Sequence, residues 1–375
     1  MTTRPLAPAQ LAPAIRQKAI LAFSLLALCT LGLSLPASAQ KSAFTTFDPP
    51  GPIVETIPTS MSPSGAITGW YFDGNIFHGF LRSLQGAFTI LDFPGATGTS
   101  GASINPAGTI TGYYFDGSGL PVFHGFVRSP DGDWTSFDPV GATDTEPASI
   151  NPAGEIAGTY YDANHVSHGF LRDPDGAITS VDVPDSNGGT FVTGMSPSGE
   201  ITGYYDDNDE YPQPQRGFLR SRDGAYTTFV PPPGEGCSSC RVNVLSTMPR
   251  SINPAGEIIG NFYRDDAQTV HGFVRERDGK ITILDAPCAG ASTFPNSINA
   301  AGVITGIYYG CGAAHGFMRD HDGKITTFDP PGSTYTMPTS INDAGAITGW
   351  YVDASSVTHG FLRSPAAKSR GGQQH

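Results

Sequence analysis

The sequence predicts an all-β fold: a seven-bladed β-propeller of four-stranded antiparallel blades, with the last blade closed by the N-terminal strand. Three observations predict it. Ser-Ile-Asn-Pro-Ala-Gly, or a close variant, recurs along the chain and ends at Gly65, Gly108, Gly154, Gly199, Gly256, Gly302 and Gly345. His-Gly-Phe recurs from His78, His124, His168, His271, His315 and His359, with Arg216-Gly217-Phe218 as a further copy. A block close to Thr-Thr-Phe-Asp-Pro-Pro-Gly ends each unit.

The block-closing glycines step by 43, 46, 45, 57, 46 and 43 residues, a spacing that suits a four-stranded blade of about 40–50 residues. Each unit reads in order. Its first strand runs into Ser-Ile-Asn, and Asn-Pro-Ala-Gly turns the chain, because Pro presets φ and Gly tolerates a left-handed backbone. The second strand is apolar and aromatic, as in Ile67-Thr68-Gly69-Trp70-Tyr71-Phe72. The third is His-Gly-Phe-Leu-Arg or a relative. Asp-Gly follows at Asp131, Asp175, Asp223, Asp278 and Asp322, a strong hairpin signal. The fourth strand ends at Phe-Asp-Pro, where proline has no N–H for the ladder.

The two ends complete each other. The last unit stops at Phe361-Leu362-Arg363-Ser364-Pro365 without a fourth strand, whereas Phe44–Gly51 is a fourth strand without a unit. Residues 43–48 are therefore expected to pair with 359–363. Closure of that kind removes exposed sheet edges.

Composition agrees. Gly 47 and Pro 32 make about a fifth of 375 residues, and charged residues only 15%. Aromatics at 10% and hydrophobics at 38% exclude a disordered chain, since enough apolar surface exists to offset chain entropy. A net charge of −13 and a pI near 5.0 exclude nucleic acid as a partner. Arg4, Arg16 and Lys18, the apolar run Ala19–Leu35 and Ala37-Ser38-Ala39 read as a cleavable signal peptide over residues 1–39. Cleavage would remove those three positive charges and take −13 to −16. The expected product is secreted, extracellular or periplasmic, with no membrane span after cleavage. It would be one propeller over 42–365 with a disordered tail over 366–375, and its oligomeric state is left open.

The repeated Ser-Ile-Asn-x-x-Gly-x-Ile-x-Gly followed by His-Gly-Phe resembles the bacterial extracellular HAF repeat, named for a His-Ala-Phe block. Here Gly replaces the Ala in every copy. The resemblance covers residues 42–365 and implies a secreted repeat protein. It brings no catalytic residues.

The repeated polar residues read as structural. Each third-strand histidine precedes an aspartate by 14 residues, as in His78 and Asp92 or His124 and Asp138. Across a hairpin such residues lie opposite one another. By closure His359 should meet Asp48. Where Arg216 replaces the histidine, Val230 replaces the aspartate. One histidine per blade cannot converge on a metal ion, so no metal is expected there. Asp73, Asp116, Asp162 and Asp353 read as loop-stabilising. The strand glycines Gly69, Gly112, Gly158, Gly203, Gly260, Gly306 and Gly349 are expected to admit a neighbouring blade. The third-strand arginines, from Arg82 to Arg363, are expected along blade surfaces.

Function is expected where the repeat breaks. Three irregularities fall on one rim: the acidic loop Asp206-Asp207-Asn208-Asp209-Glu210-Tyr211, the long connection Val230–Arg250 with Cys237-Ser238-Ser239-Cys240-Arg241, and Cys288 with Cys311. The candidate ligand residues are Asp206, Asp207, Asp209, Glu210, Tyr211, Arg216 and Arg241. An even number of cysteines after signal removal points to disulfides, with Cys288–Cys311 and Cys237–Cys240 the preferred pairing and a zinc site the rival. No cofactor is expected. Calcium at the acidic loop is the alternative, since Asp206, Asn208 and Glu210 alternate as in calcium loops, although the following glycine and distal glutamate are missing. No G-x-S-x-G, H-E-x-x-H or phosphate loop is present. The expected function is a non-catalytic secreted binding or surface protein recognising a glycan or protein through its loop face. The alternative is a polysaccharide hydrolase or lyase using carboxylates on that face or in the central channel.

Overall fold

The structure, a computed structural model, describes residues 43–117, 122–184, 186, 188–207, 214–232, 244–264, 269–288, 290–310 and 312–365. Among them are 28 strands and no helix. In chain order they are β1 (Phe44–Phe47), β2 (Glu55–Met61), β3 (Ile67–Phe72), β4 (Phe77–Arg82), β5 (Phe88–Leu91), β6 (Gly98–Ile104), β7 (Ile110–Phe115), β8 (Phe123–Arg128) and β9 (Trp134–Phe137). Then come β10 (Asp144–Ile150), β11 (Ile156–Tyr161), β12 (Ser167–Arg172), β13 (Ile178–Ser180), β14 (Thr190–Met195), β15 (Ile201–Asp206), β16 (Gln215–Arg220), β17 (Tyr226–Phe229) and β18 (Val244–Ile252). The rest are β19 (Ile258–Arg264), β20 (Val270–Arg275), β21 (Ile281–Leu284), β22 (Ser292–Ile298), β23 (Ile304–Gly310), β24 (Ala313–Arg319), β25 (Ile325–Phe328), β26 (Ser333–Ile341), β27 (Ile347–Asp353) and β28 (Thr358–Arg363).

The ladders are antiparallel within each repeat unit, β2-β3-β4-β5 being the pattern. β1 pairs with β28 in the expected register, Phe44 opposite Arg363 and Phe47 opposite Gly360. Single parallel bridges join some units, such as Phe77 to Gly98 and Glu55 to Thr358. Hydrogen bonding leaves three sheets of 16, 4 and 8 strands, not one continuous sheet.

Side chains link the units where the ladders do not. The Ser60, Ser103, Ser297 and Ser340 hydroxyls accept from the amides of Ile104, Ile150, Ile341 and Met61, at 3.4, 3.3, 3.2 and 3.2 Å. The last of these joins β26 back to β2. The turns hold as their sequence demands: Gly108 has φ 87° and donates to the Asn105 carbonyl at 3.0 Å.

The core lies between successive units. The phenylalanine of each His-Gly-Phe block and the isoleucine after each turn are fully buried, as at Phe80 and Ile67. Phe47 of β1 packs with Met61, Ile67, Tyr71 and Phe80 of β2–β4.

Two expectations are corrected. The strand glycines do not admit a neighbouring blade; they admit their own first strand. A β-bulge between Pro147 and Ser149 leaves a Cβ at Gly158 only 2.4 Å from the Glu146 carbonyl, and the same holds at Gly69 against Ile57, at 2.2 Å. The third-strand arginines are not all surface residues. Arg82, Arg172, Arg275 and Arg363 are buried, and Arg82 lies over the Phe47 ring at 4.8 Å, as Arg363 lies over Phe328 at 4.7 Å. A guanidinium face packs on an aromatic ring more easily than an ammonium does. Burial lowers the proton affinity of all four.

Candidate active site

The histidines stay within the scaffold. His78, His124, His168, His271, His315 and His359 place Nδ1 at 2.9, 2.7, 3.0, 3.0, 2.7 and 2.7 Å from Asp92, Asp138, Asp182, Asp285, Asp329 and Asp48. Their aspartates also serve the next unit: Thr56 and Thr145 each donate to one, Asp48 and Asp138, at 2.6 Å. Asp73, Asp162 and Asp353 accept loop amides, which hold their carboxyls below the usual range.

Of the rim residues, Asp206, Asp207, Arg216 and Cys288 are described. Asp209, Glu210, Tyr211, Cys237, Cys240, Arg241 and Cys311 lie outside the described residues. Arg216 Nε donates to Asp207, and Gln215 Nε2 donates to Asp206 at 3.2 Å. Register explains the first pair. Tyr205 opposes Arg216 as Tyr71 opposes His78, so Asp207 occupies the place of Asp73. The pair is the ordinary histidine–loop-aspartate contact with arginine substituted. Cys288 is disulfide-bonded.

A further break in the repeat lies on the strands. β2, β6, β10, β14, β18, β22 and β26 together line one cavity of about 170 Å³, through residues such as Thr59, Ser103, Ala148, Thr193, Arg250, Asn296 and Thr339. A wider space of about 440 Å³ shares Thr193, Arg250, Asn296 and Thr339 and adds Met337 and Trp350. Glu146 holds in β10 the position that Met337 holds in β26, and Met337 borders the wider space. The position two before the bulged residue, which Glu146 occupies in β10, is Ile57, Ser100, Phe191, Met248, Phe294 or Met337 in the other first strands. Glu146 is the ionisable member of that set. Two residues on, Arg250 is the ionisable member of the next set.

Second strands supply an aromatic wall. Tyr113 opposes Ser100 and packs on Phe123 at 5.2 Å; Tyr204 opposes Phe191 and stacks on it at 4.8 Å. Trp350 opposes Met337 and stacks on Tyr335 at 5.0 Å, whose hydroxyl lies 2.6 Å from that of Tyr309.

These surroundings set the charges. Burial, then the neighbouring Asp144 charge, raises Glu146 from 4.5 to about 7. Desolvation disfavours a carboxylate, and Asp144, two residues away on the same face, adds repulsion. Burial and the Glu146 charge raise the hydroxyls of Tyr113 and Tyr161. Tyr204 is raised by burial, by Asp206 and then by Glu146, while Arg250 pulls it the other way. Glu146 and Arg250 therefore act on one tyrosine between them. A carboxyl poised near neutrality can give or take a proton, and neutral tyrosines beside it can donate one.

A larger cavity, about 510 Å³, lies at the other end of the strands among the turns, lined by residues such as Glu257 and Arg277. Its walls are open side chains; that of Arg277 is 68% exposed.

No family model matches the chain, and no curated protein matches it. Solved structures do match in fold. A streptogramin B lyase aligns over 86% of this chain and 97% of its own, at 16% identity and TM-score 0.53. A puromycin hydrolase aligns over 82% of this chain and 52% of its own, at 14% identity and TM-score 0.56. The β-propeller domain of the Trilobed protease from Pyrococcus furiosus aligns over 83% and 95%, at 9% identity and TM-score 0.59. The fold is all-β and propeller-like. The expected non-catalytic binder is corrected by these likenesses. It rested on the absence of a local motif, and solved chains of this fold include a lyase and a hydrolase. Propellers assemble side chains from distant strands, so a missing local motif excludes no chemistry.

Proposed function

We propose that the chain is a secreted enzyme that cleaves polysaccharide, a hydrolase or lyase, with Glu146 as its acid–base group. The observation that carries this is a single carboxyl, Glu146, at the repeat position where Met337 borders the wider space, with burial and the Asp144 charge raising it to about 7. Aromatic walls around Trp350 and Tyr335 suit the apolar faces of sugar rings. Asp144, two residues along the same strand face, is a second carboxyl for a hydrolytic route.

The same proposal includes a ring of seven blades closed by β1. Its support is the β1–β28 ladder, the Ser340–Met61 bond and a cavity bordered by first strands throughout the chain. It also keeps the HAF-repeat resemblance, export by residues 1–39 and the Cys288–Cys311 and Cys237–Cys240 disulfides. The test is a screen of the mature protein on neutral and acidic polysaccharides, read for new reducing ends and for unsaturated ends. Glu146→Gln should abolish any activity found. Full activity in that variant would remove Glu146 from the chemistry.

A further inference from the structure

We infer that Arg250 anchors a carboxylate of the substrate, that the polysaccharide is one containing uronic acids, and that the bond is cut by β-elimination. This rests on the reading of Glu146 as the acid–base group.

Arg250 differs from the other arginines of the fold. Arg82, Arg172, Arg275 and Arg363 are buried against rings. Arg216, Arg222 and Arg277 pair with Asp207, Glu155 and Glu200. Arg250 is exposed and borders both central spaces. Its Nε donates to the Asn261 side-chain oxygen at 3.4 Å, and among the described residues it forms no salt bridge. The counterparts of Arg250 in the other first strands are threonine, alanine or asparagine. A guanidinium held at its Nε still offers N–H groups in a planar fork, which matches a carboxylate better than a hydroxyl. The chain carries a net charge of −13, so only a local cation favours an acidic ligand at this place.

The chemistry follows from Glu146 and Arg250 acting on one sugar. With the uronate carboxylate on Arg250, the adjacent ring C–H becomes more acidic, because the charge that develops is held by the guanidinium. The Glu146 carboxylate takes that proton. The C–H electron pair becomes a double bond to the neighbouring carbon, and the bond from that carbon to the glycosidic oxygen breaks. The leaving oxygen takes a proton from the Tyr161 or Tyr204 hydroxyl. Solvent restores the tyrosine as Glu146 releases its proton.

The test uses Glu146→Gln as a binding-competent form. Calorimetry would compare trimers of galacturonate, glucuronate and guluronate with cellotriose and xylotriose. At least one acidic trimer should bind about tenfold more tightly than the neutral ones. Arg250→Gln should remove that preference, and Arg250→Lys should keep part of it. Equal binding of acidic and neutral trimers, no binding of any acidic trimer, or a preference unchanged by Arg250→Gln overturns the inference. With the active chain, acidic polysaccharide should yield unsaturated ends. Reducing ends alone would overturn elimination while leaving Glu146 in place, whereas undiminished activity of Glu146→Gln would overturn the underlying reading.

Discussion

His359 Nδ1 stands 2.7 Å from Asp48, joining residues 311 positions apart. Asp48 also accepts from buried Thr56 at 2.6 Å. Elsewhere the same contact closes a hairpin over 14 residues. Here it joins β28 to β1, and through Thr56 to β2.

Removing residues 40–51 should therefore expose β28 as an edge and unpack Phe47 from Phe80 and Arg82. Melting temperature and solubility should both fall. The milder Phe47→Ala should cost about 3–5 kcal/mol in denaturant titration. Unchanged melting on deletion would sink the idea that this seam holds the ends together.

Glu146→Gln should stabilise the protein as it abolishes activity. Folding raises the carboxyl from 4.5 to about 7, so the native state binds a proton that the unfolded state releases. Relative to the glutamine variant, the wild type should lose about 3 kcal/mol between pH 4.5 and 7, at about 1.4 kcal/mol per pH unit, and little more above. Paired melts at pH 5 and 8 read this directly. If Glu146 is the base, activity should rise with pH through about 7.

The unit built on Arg216 lacks its staple, and the buried Thr247 hydroxyl there has no hydrogen-bond partner. Its counterparts Thr56 and Thr145 donate to aspartates. Arg216→His with Val230→Asp should restore both contacts, with the introduced imidazole also reaching Asp207. The double variant should gain about 1–2 kcal/mol. A gain from Arg216→His alone equal to the double would contradict the coupling.

Arg82 is buried with its Nε unpartnered. Arg82→Met should change stability by less than about 1 kcal/mol, since an apolar chain of similar length fills the place without a buried charge. Arg82→Ala should cost about 2–3 kcal/mol through lost packing on Phe47. Equal losses in the two variants would show that the charge, not the volume, matters.

Much of the local architecture was legible because its contacts are local. His124 and Asp138 meet across a hairpin whose turn is written at Asp131-Gly132, so spacing alone places them. Glu146 was legible in principle too. Aligning the position two before each bulged residue sets it against Ile57, Ser100, Phe191, Met248, Phe294 and Met337. Attention to long loops missed it, because a single strand substitution leaves the repeat spacing intact. The Asp207–Arg216 pair shows the converse: residues that look singular in a loop occupy ordinary repeat positions.

By itself, then, the sequence determined strands, turns, the His–Asp contacts and the pairing of the two ends. Strand alternation and hairpin register are periodic in the chain, and periodic constraints can be read without coordinates. Tertiary structure alone decided which glycines face their own first strand, which arginines are buried, and what Glu146 and Arg250 can do. These two lie 104 positions apart on β10 and β18, and within its own segment Glu146 meets only the lesser of its two perturbing causes, the Asp144 charge. The larger cause is burial, an environment that exists only once distant strands have been brought together.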